Sequence, residues 1–272
     1  MKLSHRLNSL QRMILHPYRH IWDCCCDHGQ LGAGILTELH ALANTATANA
    51  TLQTSVHFVD IIPSLMQQVE DKLQRFFPQG KQASHNRESG SYQGINWQVH
   101  CLDVGQLPIF TDNSRQLVII AGVGGALTLK LVQAIRLAYP LQPLDFLLCP
   151  VHHQFELRQG LKALNLGLID ETLIVENRRF YELIYVSSQS TTELSAQGDL
   201  LWQQDSNVSK AYLKRTLDHY SNMLRSTIAA ANISANKQHE ASTSKSHAEI
   251  SAIIEAYQKI QAQLTIKATP ET

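Results

Sequence analysis

The stretch that most constrains this fold is His20-Ile21-Trp22-Asp23-Cys24-Cys25-Cys26-Asp27-His28-Gly29-Gln30-Leu31-Gly32. Its apolar run through Cys26 has no helical period and reads as a short buried strand. Gly29 and Gly32 stand where a chain turns and then packs closely, and a helix opens at about Gln30. A strand running straight into a helix leaves unpaired N–H groups at the helix mouth, facing whatever lies at the strand's carboxyl end. In an open α/β sheet that mouth is where a nucleotide-like ligand sits.

The rest of the chain repeats the pattern. Leu3, Leu7, Leu10 and Ile14 recur at helical spacing ahead of the first strand. After the helix at 30–42, an Ala-, Thr- and Asn-rich connector is expected at 43–54. Val56-His57-Phe58-Val59-Asp60 reads as a second strand, and Pro63 opens a helix that runs out near Phe77-Pro78. Residues 79–94 are polar and read as an exposed loop. Strands are expected at 96–103, 116–121 and 144–149, with helices following Gly122-Val123-Gly124-Gly125 and spanning about 154–165. Two strand-like runs, 169–175 and 180–186, flank Glu176-Asn177-Arg178-Arg179, a hairpin pattern. A parallel βα array closed by an antiparallel hairpin is the Rossmann-like layout of a class I methyltransferase sheet, whereas a dehydrogenase sheet stays parallel to its end.

Beyond about Ser187 the composition shifts to Ser, Thr and Gln. Leu213, Leu217, Tyr220, Leu224 and Ile228 form one helical stripe, and Ile250, Ile253, Ile254, Tyr257, Ile260 and Leu264 another. The polar stretch 234–247 separates them, which reads as an antiparallel, coiled-coil-like helical hairpin. The expected division is an α/β domain at 1–188 and a helical C-terminal domain at 189–272.

Lysine plus arginine equal aspartate plus glutamate at 23 each, so a nucleic-acid partner would need a local basic patch. Met1-Lys2-Leu3-Ser4-His5-Arg6 lacks the apolar core of a signal peptide, and no segment approaches a membrane span. Five cysteines, three of them consecutive, make no disulfide framework and point to a reducing, cytoplasmic setting.

Acids stand at successive strand ends: Asp23 with Asp27, then Asp60, then Asp103. A carboxylate after the second strand can accept from two ribose hydroxyls, and Asp60 is placed for that. Asp103 could accept from an adenine exocyclic amine. The plainer reading is that such acids cap the following helices. Asp27-His28 could likewise be a cap with a backbone-bonded histidine. Alternatively, Asp27 lies beside a sulfonium, which a carboxylate attracts in a low-dielectric cleft. Cys24, Cys26 and His28 would alternate on one strand face, with Cys101 and Cys149 ending others. No Cys-x-x-Cys pair supports a metal there, and no metal is expected. His152-His153 reads as a helix start.

With Asp23-x-x-x-Asp27-His28-Gly29, Asp60, Asp103 and Ile120-Ala121-Gly122-Val123-Gly124-Gly125 in place, the chain resembles the bacterial tRNA adenine N1-methyltransferases that modify position 22. The opening Leu3-Ser4-x-Arg6-Leu7, Cys149-Pro150 and the hairpin with Phe180-Tyr181-Glu182 share in the resemblance, which covers about 3–187. It implies S-adenosylmethionine binding by Asp23, Cys25, Asp27, His28, Gly29, Leu31, Asp60, Ile61, Asp103, Val104, Ala121 and Gly122. The carboxylate placed beside the sulfonium, Asp27, is the residue expected to be catalytic. The resemblance also implies tRNA as partner. Arg178, Lys210 and Lys214 are the basic residues suited to RNA contact, although solvated surface charge is the alternative. Two departures stand out. Cys25 occupies the place of a motif glycine, and the segments after Leu42 and at 79–94 are long. A methyltransferase acting on a small molecule or protein, a nicotinamide-dependent oxidoreductase and a non-catalytic binding module remain as other readings.

Overall fold

Central strands of a parallel sheet are covered on both faces and need near-continuous apolar runs; Leu117 to Ile120 and Phe146 to Cys149, all fully buried, are such runs. In the computed structural model, which describes residues 3–45, 53–78, 95–203, 206–234 and 246–267, the strands are β1 (His20–Cys24), β2 (Thr54–Asp60), β3 (Ile95–Cys101), β4 (Gln116–Ala121), β5 (Leu144–Cys149), β6 (Gly167–Glu176) and β7 (Arg179–Ser187). They form one sheet in the order β3-β2-β1-β4-β5-β7-β6. β1 to β5 pair in parallel, and β7 runs antiparallel to both β5 and β6. This is the Rossmann-like methyltransferase layout. The closing hairpin is tighter than its sequence suggested. Glu176 pairs with Arg179, leaving Asn177 and Arg178 as a two-residue turn with φ of 51° and 62°. Two consecutive left-handed residues are what a type I′ turn requires.

The helices of this unit are α1 (His5–Arg12), α2 (Gln30–Thr45), α3 (Pro63–Phe76), α4 (Gly125–Ala138) and α5 (Gln154–Ala163). Leu10 of α1, Ile35 of α2 and Val69 of α3 share one core with Ile21, Val56, Phe58 and Ile119 of the sheet. Successive strand residues point to opposite faces, so His20, Trp22 and His57 belong to the other side. There the Nδ1 of His20 lies 3.1 Å from His57 Nε2, and His57 Nδ1 lies 3.0 Å from His100 Nε2. Trp22 stacks on His57 and Phe110 on His20, both at 3.9 Å. A buried ion cluster fastens α5 to the hairpin: Arg158 reaches Glu171 at 2.6 Å and Glu182 at 2.7 Å.

The chain divides into two compact units, Met1–Ala196 and Gln197–Thr272. The first runs past 188 because Leu168 donates to Thr192 O at 2.9 Å and Arg158 to Ser195 O at 3.3 Å. In the second, α6 (Ser206–Ser234) and α7 (His247–Lys267) pack on one another. Lys210 shares a groove with Leu264, while Tyr220 stacks near Tyr257, so the pair is antiparallel. Among the described residues no helix is long and apolar enough to cross a membrane. The connector expected at 43–54 shrinks, since α2 continues to Thr45 and β2 starts at Thr54. Its middle, the loop at 79–94, most of 234–247 and the last residues lie outside the described residues.

Candidate active site

The sheet order reverses between β1 and β4, and the crevice at a switch point opens at the carboxyl ends of its strands. The turn after β1 occupies that crevice. The strand stops at Cys24 rather than continuing to Cys26, because Cys25 and Asp27 take left-handed φ of 55° and 48°. Extended pairing cannot pass through such residues. Cys26 N–H instead donates to Val59 O at 3.2 Å, and Gly29 N–H closes the turn on Cys26 O at 2.7 Å. The expected alternation of Cys24, Cys26 and His28 on one strand face therefore does not exist. Among the described residues no group of three or more His, Cys, Asp or Glu could hold a metal ion.

The left-handed Cys25 explains why a motif glycine suits this position, since an L-residue pays about 1–2 kcal/mol there. Its thiol is pushed up to about 11, first by burial and then by the Asp60, Asp23 and Asp103 carboxylates. Gly32 meets a different demand. A Cβ there would fall 2.4 Å from Phe58 Cε1 and 3.0 Å from Asp23 Oδ2. Its bare N–H donates to Asp23 Oδ2 at 2.8 Å, so the first turn of α2 is locked to the carboxylate of β1. Asp23 is 3% exposed, and burial pushes its carboxyl up to about 7 against the lowering effect of that hydrogen bond.

Asp103 fulfils the capping reading, whereas Asp60 does not cap α3, whose N-cap is Ile62 without a side-chain bond. Asp60 accepts from Ile62 N–H through Oδ1 and from Asp27 N–H through Oδ2, both at 3.2 Å. An ionised carboxylate has about four acceptor sites, so it can still take two hydroxyls. Asp103 is not on a strand as expected, because β3 ends at Cys101; its Oδ1 caps the 3-10 turn Val104–Gln106 through Gly105 N–H at 2.7 Å.

Two adjoining cavities share Cys25 and Asp60. One, of about 500 Å³, brings together Asp23, Cys25, Asp27, His28, Leu31, Asp60, Ala121 and Gly122. The other, of about 380 Å³, adds Ile61, Asp103 and Val104, backed by Leu127 and Leu131 of α4. One polar chamber and one more apolar chamber joined at a carboxylate can accept a charged tail, a sugar and a flat base in sequence. Of the expected cofactor residues Gly29 sits apart, buried in the turn where a Cβ would meet Phe58 and Val69 at 3.1 Å. Asp27 and His28 face outward, with His28 Nε2 3.6 Å from Asp27 Oδ1. Arg178 lies on the hairpin turn of the first unit, and Lys210 and Lys214 line one groove of the second. His153 is the N-cap of α5, as the sequence suggested, in a left-handed conformation.

Among the lining residues that went unassigned from the sequence, one is a permanent cation. Arg6 of α1 lines the larger chamber beside Gly122 and Val123. The opening Leu-Ser-x-Arg-Leu run carried a signal for it, but an arginine on a short amphipathic helix looks like ordinary surface charge.

Fold and crevice together define an α/β domain of the Rossmann-like kind with a cleft at its switch point. A family model described as a methyltransferase domain matches residues 3–184, well over half of the chain, and the chain belongs to that family. No curated protein matches it. Several solved structures are similar over nearly their whole length. TrmK of M. capricolum, determined with S-adenosyl-homocysteine, is 16% identical, with 96% of this chain and 99% of that one covered at a TM-score of 0.63. The B. subtilis m1A22 tRNA methyltransferase TrmK is 16% identical, covering 95% and 98% at 0.58. Sp1610 of Streptococcus pneumoniae, a candidate tRNA (m1A22) methyltransferase with S-adenosyl-L-methionine bound, is 15% identical, covering 95% and 99% at 0.58.

Proposed function

We propose that this methyltransferase uses S-adenosylmethionine to methylate N1 of an unpaired adenine in tRNA, at position 22, in the cytoplasm. The observation carrying the reading is the double cavity: aspartates from three successive segments meet at Cys25 and Asp60, at the switch point of a methyltransferase sheet. The full-length likeness to the m1A22 enzymes, C-terminal helices included, supports the substrate.

The residues fit the cofactor. The acceptor sites left on Asp60 suit the two ribose hydroxyls, and Asp103, with Ile61 and Val104 beside it, suits adenine. Gly32 keeps Asp23 within the larger chamber, and the cationic end belongs among Asp23, Asp27, His28 and Leu31. Ala121 and Gly122 line the same chamber. When bound, the cofactor supplies an electrophilic methyl, which adenine N1 takes with its in-plane lone pair while the C–S electron pair remains on sulfur. No proton has to leave N1, so the protein's task is to hold the reacting atoms in line, a contribution worth up to about 7–11 kcal/mol. N1 is engaged in Watson–Crick pairing and must be unpaired or flipped out first. The Asp27 carboxylate then faces the cationic methylated base. Arg178, Lys210 and Lys214 take backbone phosphates.

The test is transfer of labelled methyl to unmodified tRNA by the parent chain and by Asp27→Ala. The reading expects transfer by the parent and loss of most of it in the variant. Parental rates in Asp27→Ala remove Asp27 from the chemistry. Methylation of free nucleosides or protein with tRNA untouched favours the other substrate classes.

A further inference from the structure

The larger chamber has two kinds of wall. The turn after β1, Asp60 and the Ala121-Gly122 pair line the place assigned above to the cofactor, whereas Arg6, Leu7 and Val123 line the same chamber with no part in that assignment. These are the lining residues left for a methyl acceptor. Arg6 brings a permanent positive charge to a chamber otherwise lined by Asp23, Asp27 and Asp60.

The arginine is held in place rather than loosely solvated. Its guanidinium lies over the Tyr181 ring at 5.2 Å, an arrangement that orients the planar fork. Glu176, from the base of the same hairpin, spends Oε1 on the Arg6 backbone N–H at 3.0 Å. Its Oε2 is 3.9 Å from Arg6 Nε, an ion pair too long for a hydrogen bond, and that Nε is buried without a hydrogen-bond partner. Gly122, at φ 87°, carries no side chain, and Arg6 Nη1 lies 3.8 Å from where its Cβ would be. The guanidinium therefore lies beside the β4 turn, hydrogen-bonded to the sulfur of buried Cys149, with its Nε still lacking a hydrogen-bond partner.

We propose that Arg6 binds a phosphate of the target nucleotide and so seats the flipped base against the methyl donor. The proposal rests on the RNA-methyltransferase reading above. A phosphodiester entering this chamber meets three aspartates and needs a local cation, and a planar donor fork matches phosphate oxygens in pairs. Arg6 is in this sense a substrate-binding residue of the acceptor half, with Tyr181 and Glu176 as its positioning residues.

The test uses the full chain with Arg6→Ala and Arg6→Lys. S-adenosyl-homocysteine affinity is measured by calorimetry, and kcat/KM for unmodified tRNA is measured between 50 and 200 mM salt. In Arg6→Ala the affinity should stay within about threefold of the parent while kcat/KM falls about 10- to 100-fold, the scale of a lost charge-assisted contact. The slope of log kcat/KM against log salt should be shallower by about 0.7–0.9, the signature of one lost phosphate contact. Arg6→Lys should restore the slope and only part of the rate, because a point charge lacks the fork. An unchanged kcat/KM, an unchanged salt slope despite lost activity, or loss of S-adenosyl-homocysteine binding in both variants overturns the proposal and makes Arg6 a fastening of α1. If the parent itself transfers no methyl to tRNA, the functional reading fails and the phosphate role with it. Parental transfer with Arg6→Ala unaffected overturns the phosphate role alone.

Discussion

Asp23→Asn separates the two demands placed on the buried carboxylate of β1. The side chain is 3% exposed and accepts a hydrogen bond from Gly32 N–H at 2.8 Å, and burial holds its carboxyl near 7 against an ordinary 3.8. The folded state thus binds this proton more tightly than the unfolded chain does. Stability is lost as pH rises from 3.8, and the full cost is reached above 7. At 1.36 kcal/mol per unit the cost of keeping Asp23 ionised approaches about 4 kcal/mol, of which about 2–3 kcal/mol develops between pH 5 and 8. The isosteric amide keeps an oxygen for Gly32 and removes the charge. Its buried NH2 adds a pH-independent penalty of about 1–3 kcal/mol. Urea unfolding of parent and variant at pH 5 and pH 8 reads the difference directly, since effects common to both proteins cancel. The variant should gain about 2–3 kcal/mol on the parent between the two pH values, while binding S-adenosylmethionine more weakly. A difference that stays constant with pH refutes the argument that Asp23 is a desolvated carboxylate kept for a cationic ligand.

Other perturbations follow from the same geometry. Cys25→Gly removes a side chain from φ 55°; relief of about 1–2 kcal/mol is set against about 0.5–1 kcal/mol of added chain entropy, so Tm should hold or rise slightly, with cofactor affinity retained. Gly32→Ala drives a methyl into Phe58 at 2.4 Å, and denaturant unfolding should show a loss of about 1–3 kcal/mol with weakened cofactor binding in calorimetry. Arg158→Met strips the cation from Glu171 and Glu182, both about 1% exposed, and should cost about 3–5 kcal/mol in urea unfolding. His20 is lowered to about 4, first by burial, so its contribution to stability is complete above 6.5 and is lost as pH falls toward 4. His20→Phe, which keeps the stack on Phe110, should therefore lose about 2 kcal/mol less than the parent between pH 7.5 and 5 in the same assay.

What could be read from the chain alone follows the range of the interactions. Strand, turn and helix at 20–45 are set by neighbours in sequence, and Asn177 announces a tight hairpin, so sheet layout and cleft were both legible. The turn itself was misjudged by two residues. Cys25 and Cys26 are as apolar as the strand before them, and nothing local shows that Cys25 must turn left-handed under the Val59 carbonyl. Asp103 looked like the end of a strand because Leu102 continues the apolar run, but pairing with β2 stops at Cys101 and Asp103 caps the next turn. The His20-His57-His100 ladder depends on the register of three strands, and each histidine alone looks unremarkable. Arg6 was hidden for a similar reason: its meaning comes from Glu176, 170 positions away, which pins α1 beside the cleft.

The central claim is that this cleft delivers a methyl from S-adenosylmethionine to adenine N1 in tRNA. Nucleoside analysis of unmodified tRNA after incubation with the full chain and the methyl-labelled donor tests it most directly. The account predicts that the label appears as 1-methyladenosine, and that it disappears when A22 is replaced in the transcript. Absence of label in tRNA, or label on an exocyclic amine or another base, contradicts it.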